Sequence, residues 1–335
     1  MVNLQMCYLL LFPFEQSSPL GPLVSIPAPK DSPYFYELDI ELRSSWGERT
    51  MMIGDTAVRI QLQVFDGIVW VAECHYELPD GVSAEGNVRN QEIKSQLRHH
   101  LMKETGTSST LLEEYTIVVI PNRKEGDSAS LVEENTAELA HLLRSLHKPL
   151  RLEDAAEVLN GRVRFSKQDL TIVDWSGAIL ACECDDAQSD IELLKIGKYQ
   201  ILRYRLLDQT IHEMLTGLRS AMPARFGRFP SARKTVVAIT NQRLSLLLDF
   251  EKIDQSLLLI GDWYSAQLYQ LIVDQFDLRE WKSLVHDKLN QLSDINQVIQ
   301  DNLAFSWRRT IDFIVFVGWF VMMVGYLILF IGDMS

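Results

Sequence analysis

Catalytic signatures are what this sequence most conspicuously lacks. Gly197-Lys198 is followed by Tyr199, with no glycine at the spacing a Walker A loop requires. GxGxxG, GxSxG and HExxH are all absent. Cysteine is scarce: Cys7, Cys74, Cys182 and Cys184 are too few and too irregular for a disulfide framework, which points to a reducing compartment. Positive charge is in short supply as well. Thirty-two Lys and Arg against 45 Asp and Glu leave a net charge of -13, which argues against a broad nucleic-acid-binding face, since such a face must neutralise phosphates. No Lys or Arg precedes the opening apolar run, the first Arg is Arg43, and no small-residue cleavage site follows that run. Neither a secretory signal nor a transit peptide fits that pattern, and residues 4–12 read as a buried strand.

The candidate metal ligands are equally sparse. His99-His100 falls on a polar helix and is expected to face solvent. Cys74 and His75 are neighbours in a strand, so they point to opposite faces and do not readily share one ion. Cys182 and Cys184 share a face, but a zinc site needs further ligands and no second pair is present. Structural cysteine is the expected reading, with no metal and no cofactor, and enzymatic activity is not the leading expectation.

What is there is a change of character along 335 residues, enough for about two domains. The expected fold class is α+β: an N-terminal mixed α/β sheet domain, then long helices forming a stalk, then one C-terminal transmembrane helix. In the sheet domain (residues 1–184), AVRIQLQVF and IVWVAECHYEL flank Asp66-Gly67, a strong hairpin signal. Residues 90–105 predict a polar helix, EYTIVVI (114–120) a buried strand, and 129–147 an amphipathic helix. Two further β runs meet at Trp175-Ser176-Gly177. Residues 185–305 predict long helices. Leu193, Gln200, Tyr204, Leu207, Ile211, Met214 and Leu218 share one stripe. Leu278, Val285, Leu292 and Ile299 recur every seven residues, which predicts a helical stalk over 278–303 with coiled-coil packing, its partner in the same chain or in another.

Between Phe313 and Ile331 no residue is charged. At about 1.5 Å per residue this run is close to a bilayer's hydrocarbon thickness, and it predicts a transmembrane tail anchor over 313–331. Arg308 and Arg309 precede it and Asp312 stands at its mouth. The positive-inside rule then expects a single-pass membrane protein with its N-terminal bulk cytoplasmic, in a bacterial inner membrane. Gly318 and Gly325 share a helix face, which suits close packing of two such helices.

Charge reverses locally between Met214 and Leu248, where there is no acid. Arg219, Arg225, Arg228, Arg233 and Lys234 lie in or beside the Pro/Gly stretch 219–235, and Arg243 follows. They are candidate contacts for anionic headgroups or another anionic partner; the plainer reading is a loop paired with acidic helices elsewhere.

Three stretches together carry a resemblance. DLTIVDWSGAIL includes Asp169 and Trp175; LLKIGKYQILRYRLLDQTI includes Gln200, Leu202, Arg205 and Asp208; and residues 257–295 include Gly261, Asp262, Tyr264, Tyr269, Phe276, Trp281 and Lys288. They resemble signatures of an uncharacterised bacterial membrane-anchored family. The order of sheet domain, long helices and terminal span is similar to that of the "required for meiotic nuclear division" family and its YagE-like members. The resemblance covers about residue 165 to the end and departs from the pattern at Asp312, where a glutamate is expected. It implies a membrane-anchored homo-oligomer and maps no active site, so the matched residues read as structural. Arg205 and Asp208, three apart, are placed to pair on one helix. Asp262 is placed to cap one.

The leading functional expectation is therefore a non-enzymatic tail-anchored protein whose cytoplasmic domain serves as an oligomeric scaffold or binding surface, with the lipid bilayer, further copies of itself and other proteins as partners. One alternative is a CorA-like transport protein forming an oligomeric pore, although a single span and no Gly-Met-Asn loop depart from that pattern. The other is an enzyme with an unfamiliar site.

Overall fold

The computed structural model describes residues 4–15, 23–25, 41–44, 47–79, 83–121, 128–144, 152–164, 169–182, 187–225, 244, 247–248, 251 and 263–333. Ten strands among them form one mixed sheet: β1 (Leu4–Pro13), β2 (Val24–Ser25), β3 (Leu42–Ser44), β4 (Arg49–Ile53), β5 (Thr56–Phe65), β6 (Val69–Leu78), β7 (Glu113–Pro121), β8 (Arg162–Val163), β9 (Leu170–Val173) and β10 (Gly177–Cys182). The order is β2-β3-β5-β6-β1-β7-β10-β9-β8, with β4 also paired to β5. All neighbours are antiparallel except β7 and β10. β1 is central and buried from Met6 to Phe12, as its unbroken apolar run requires. β5 and β6 are joined at Asp66 and Gly67, both at positive φ (53° and 66°). That is the backbone a two-residue hairpin demands and the reason for the Asp-Gly pair.

Alternation of side chains gives the sheet two working faces. Tyr8, Leu10, Leu62, Trp70, Val118 and Ile179 belong to one core, together with Ile93, Leu97 and Leu101 of α1 (Ala84–Thr105) and Leu139 and Leu143 of α3 (Thr136–Arg144). Ser83 caps α1 by accepting from the Gly86 amide at 3.0 Å, and Gly106 ends it in the left-handed conformation. The amphipathic helix expected over 129–147 is two helices, α2 (Ser128–Glu134) and α3, broken at Asn135, whose amide turns back to the Val132 carbonyl. A short α4 (Leu152–Val158) follows.

The opposite face carries Cys7, Leu9, Glu73, Glu113, Tyr115 and Thr171, of which Glu73, Glu113, Tyr115 and Thr171 meet Lys195, Arg205, Lys198 and Asp190 of α5 (Ala187–Arg225). Every residue of α5 from Ile191 to Tyr204 is buried. α6 (Trp263–Gln275) and the start of α7 (Leu278–Asp333) complete the first of two compact units, Met1–Leu206 with Phe250–Ser283. Gly197 lies against α6, where an added Cβ would come within 2.5 Å of Ile272.

The second unit comprises Leu207–Asp249 and Leu284–Ser335. Val285, Leu289 and Leu292 of the heptad seam are buried, and Lys288 pairs with Asp208 of α5. The stalk therefore finds a partner within the chain. The expected transmembrane helix is corrected: among the described residues no helix is long and apolar enough to cross a membrane. The side chains described in the apolar part of α7 end at Gly325. The tail-anchor and membrane readings built on that helix are withdrawn with it.

Gly177 opens β10 where an added Cβ would lie 2.5 Å from the Thr116 carbonyl oxygen and 2.9 Å from Leu143. The nearer obstacle is backbone in the parallel β7–β10 pair, so it has little freedom to move. Gly177→Ala is expected to lower unfolding free energy by about 2 kcal/mol in urea denaturation, with an unchanged midpoint as the contrary result.

Candidate functional site

α5 is buried on all sides from Ile191 to Tyr204, and Asp190, Glu192, Lys195, Lys198 and Arg205 find partners on the sheet or on the helix itself. Two clusters result. In the first, Cys7 of β1 lies directly across from His75 of β6, and Glu73 is two residues before His75 on the same face. The Glu73 carboxylate holds three contacts. Its Oε1 lies 2.7 Å from His75 Nε2 and accepts from Gln188 Nε2 at 3.2 Å, while Oε2 lies 2.5 Å from Lys195 Nζ. Lys195 also reaches Glu192 Oε1 at 2.6 Å. Burial alone would push the Glu73 carboxyl up, but the Lys195 ammonium and the His75 hydrogen bond outweigh it and hold the group well below the usual carboxylate range. Lys195 shows the converse: burial opposes its charge, and Glu192 and Glu73 together raise it above an ordinary lysine. The Cys7 thiol is pushed up by burial and then by Glu73, so it is held protonated.

The second cluster surrounds Lys198. Its Nζ donates to the Trp175 carbonyl at 2.9 Å and lies 4.2, 4.8 and 4.7 Å from the ring centroids of Phe276, Tyr115 and Trp175. Glu113 Oε2 is 3.9 Å away, and Glu113 is also paired with Arg205. Burial lowers Lys198 to about 8, against the raising influence of Glu113 and Asp174. That value suits proton exchange near neutrality, yet the side chain is 1% exposed, so the aromatic box encloses the group rather than presenting it. Beside this cluster, Arg144 forms a two-pronged bond to Asp174, which fixes the turn leading to β10 by accepting from the Ser176 amide. A polar cavity of about 610 Å³ adjoins it, lined by Asp154, Glu157, Asn160 and Gln275 as well as this pair.

The residues singled out by sequence distribute unevenly. Trp175 is half-exposed and forms one wall of the Lys198 box. The Gln200 side-chain Oε1 accepts from the Tyr269 hydroxyl at 3.0 Å. Arg205 bonds Glu113 and the Leu112 carbonyl, and Asp208 bonds Lys288, so both serve to join elements. Asp169 precedes β9, and Asp312 is exposed on α7. Gly261, Asp262, Arg228, Arg233, Lys234, Arg243 and Cys184 lie outside the described residues, as do the side chains of Cys182, Arg219, Arg225, Arg308 and Arg309. Cys74 and His75 do point to opposite faces: Cys74 belongs to the core under α1. Sequence reasoning missed Cys7, Glu73, Glu192, Lys195 and Lys198. The available signal was an acid in mid-strand, Glu73 within IVWVAECHYEL, and two lysines three apart in an apolar helix.

Replacing Lys195 by Met leaves Glu73 and Glu192 buried without their cation. A loss of about 3–5 kcal/mol is expected, partly recovered in the Lys195→Met/Glu73→Gln double variant, as read from chemical denaturation. Lys198 has the opposite linkage. Its folded value lies below the unfolded one of 10.5, so the unfolded chain binds more protons between pH 8 and 10.5. Stability of the wild type relative to Lys198→Met should therefore rise across that window, by up to about 3 kcal/mol. A flat difference between the two proteins would contradict this.

Residues 39–187 match the model of a family described as "Uncharacterized protein MJ0711, N-terminal domain". The chain is similar to "Uncharacterized protein MJ0711" of Methanocaldococcus jannaschii, 27% identical over 193 residues. That alignment takes in 58% of this chain and 59% of the relative, so the chain spans about three fifths of the length of the curated relative it matches. No solved structure matches. Glu73, His75, Glu113, Tyr115, Asp174 and Trp175 fall within the matched residues 39–187, whereas Cys7, Lys195 and Lys198 fall outside them. Both matches support likeness to an uncharacterised family, known here through an archaeal relative.

Proposed function

We propose that this protein is a non-enzymatic assembly protein whose α7 helix binds a second copy of the chain. One observation carries the reading. From Ile311 to Gly325 every described side chain of α7 is exposed, and Phe313, Ile314, Val315, Phe316, Trp319, Val321 and Met322 are each more than half exposed. Apolar side chains in water on all sides of a helix are unfavourable by about 25 cal/mol per Å², so an unpartnered helix of this composition seeks a cover. Gly318 and Gly325 supply one open face, with nothing within 4 Å of a Cβ built on either, and their spacing of seven fits close helix–helix approach. The charged groups under α5 support a structural role for the sheet domain, because their bonds are spent on joining elements. The finer kinship with the "required for meiotic nuclear division" family is likewise a proposal, supported by the helical residues Gln200, Leu202, Arg205 and Asp208.

The test is disulfide trapping in the full-length chain. Gly318→Cys and Gly325→Cys are expected to give covalent dimers on mild oxidation, well above the background of the native cysteines, and Phe320→Cys on the far side far fewer. Equal and low yields at all three positions, with a monomeric mass by light scattering, would refute the proposal.

A further inference from the structure

We propose that Cys7, Glu73 and His75 form a binding site for one divalent transition-metal ion of zinc-like chemistry. This rests on the sheet geometry alone and stands or falls independently of self-assembly through α7. The Cys7 sulfur, a Glu73 oxygen and a His75 ring nitrogen all lie within 4.8 Å of one another. They come from two adjacent strands: Cys7 and His75 are partners in register across β1 and β6, and Glu73 and His75 are two apart on one strand and so share a face. A tetrahedral ion with bonds of about 2.0–2.3 Å holds its ligand atoms about 3.3–3.8 Å apart. Side-chain rotations of about 1 Å therefore close the set around an ion, with no movement of the sheet. One thiolate, one imidazole and one carboxylate make a borderline-soft donor set, which suits zinc over magnesium or calcium. Three protein ligands leave a tetrahedral ion one position for water.

The surroundings complete the site. Lys195 sits on Glu73 Oε2, and Gln188 donates to Oε1. The carboxylate is thus kept ionised and oriented by its neighbours, as outer partners do for metal ligands. Charge balance favours the ion. Glu73, Glu192 and Lys195 carry a formal buried surplus of one negative charge. A dication that displaces the thiol proton brings the sum to zero. His75, with its side chain 24% exposed, offers the route in, while Cys7 and Glu73 are buried.

Binding involves no electron transfer. The Cys7 S–H proton leaves to solvent as the sulfur–metal bond forms. The proton that His75 Nε2 gives to Glu73 leaves to solvent as the ring takes up a proton on Nδ1, and the freed Nε2 lone pair faces the ion. Glu73 Oε1 exchanges its contact with His75 for the metal, and Oε2 stays with Lys195.

The experiment is a titration of the metal-stripped full-length protein with Co²⁺, followed by absorbance. One Co²⁺ per chain is expected, with a thiolate-to-cobalt charge-transfer band in the near ultraviolet that Zn²⁺ abolishes by displacement. Cys7→Ser should lose the band and His75→Ala should weaken binding at least about tenfold. Cys74→Ala, altered on the opposite face, should bind as the wild type does. A second readout is thermal melting, where Zn²⁺ should raise the Tm of the wild type and leave that of His75→Ala unchanged. His75 is partly exposed, so this variant keeps the test decisive should Cys7→Ser fold poorly. Absence of saturable one-to-one uptake, or a band that persists in Cys7→Ser, would overturn the proposal.

Discussion

The buried bonds between Glu73 and Glu113 on the sheet and Lys195, Lys198 and Arg205 on α5 are the constraint around which the molecule is arranged. A lysine with 2% of its side chain exposed is tolerable only where anions meet it, and Lys195 meets two. Such bonds contribute little to net stability compared with well-packed apolar residues, but they permit only one seating of the helix. A rotation of α5 about its axis, or a slip by one turn, would leave a carboxylate or an ammonium alone in the interior. Apolar packing alone would not discriminate so sharply. The same seating is held at further points, where Asp190 accepts from Thr171 and Tyr264, and where the Tyr199 hydroxyl donates to Asp66 in the β5–β6 hairpin.

The two faces of the sheet consequently differ in kind. Under α1 and α3 the interior is almost wholly apolar, relieved by buried groups such as Tyr76, which donates to Asn90 at 2.5 Å. Under α5 it is a mixed interior in which aromatic rings surround the Lys198 ammonium and an acid–histidine pair stands beside a thiol. A protein that needed only a stable platform would be served by the first kind of face. The second brings Cys7, Glu73 and His75 together on one side of β1 and β6. The proposed metal centre and the proposed assembly helix thus concern separate units of the chain, one polar and enclosed, the other apolar and open.

Much of the local structure was legible in advance because it follows from short-range rules. Alternation and apolar runs marked β1, β5, β6 and β7; the Asp-Gly pair marked the hairpin with its positive φ values; the seven-residue recurrence of Leu278, Val285 and Leu292 marked a buried seam. Asn135 broke a helix whose apolar periodicity ran on across it, since periodicity reports a face and not the continuity of the backbone. The apolar run near the C-terminus was read as a span from composition, whereas α7 has no described stretch long and apolar enough to serve as one. The relevant site was hidden for a different reason. Cys7 and His75 are 68 positions apart, and Arg205 and Glu113 are 92 apart; no local pattern couples them.

By itself, then, the sequence determined which segments become strands and helices, which faces of them are apolar, and that no familiar catalytic motif is present, because these depend on neighbours a few residues away. Only the tertiary structure decided that Cys7 stands across from His75, that the lysines of α5 descend onto glutamates of two different strands, and that the seam of α7 finds its partner in α5. Those outcomes depend on strand order and register, which bring together residues that the chain itself keeps far apart, and on burial, which turns ordinary surface charges into groups that must find one another.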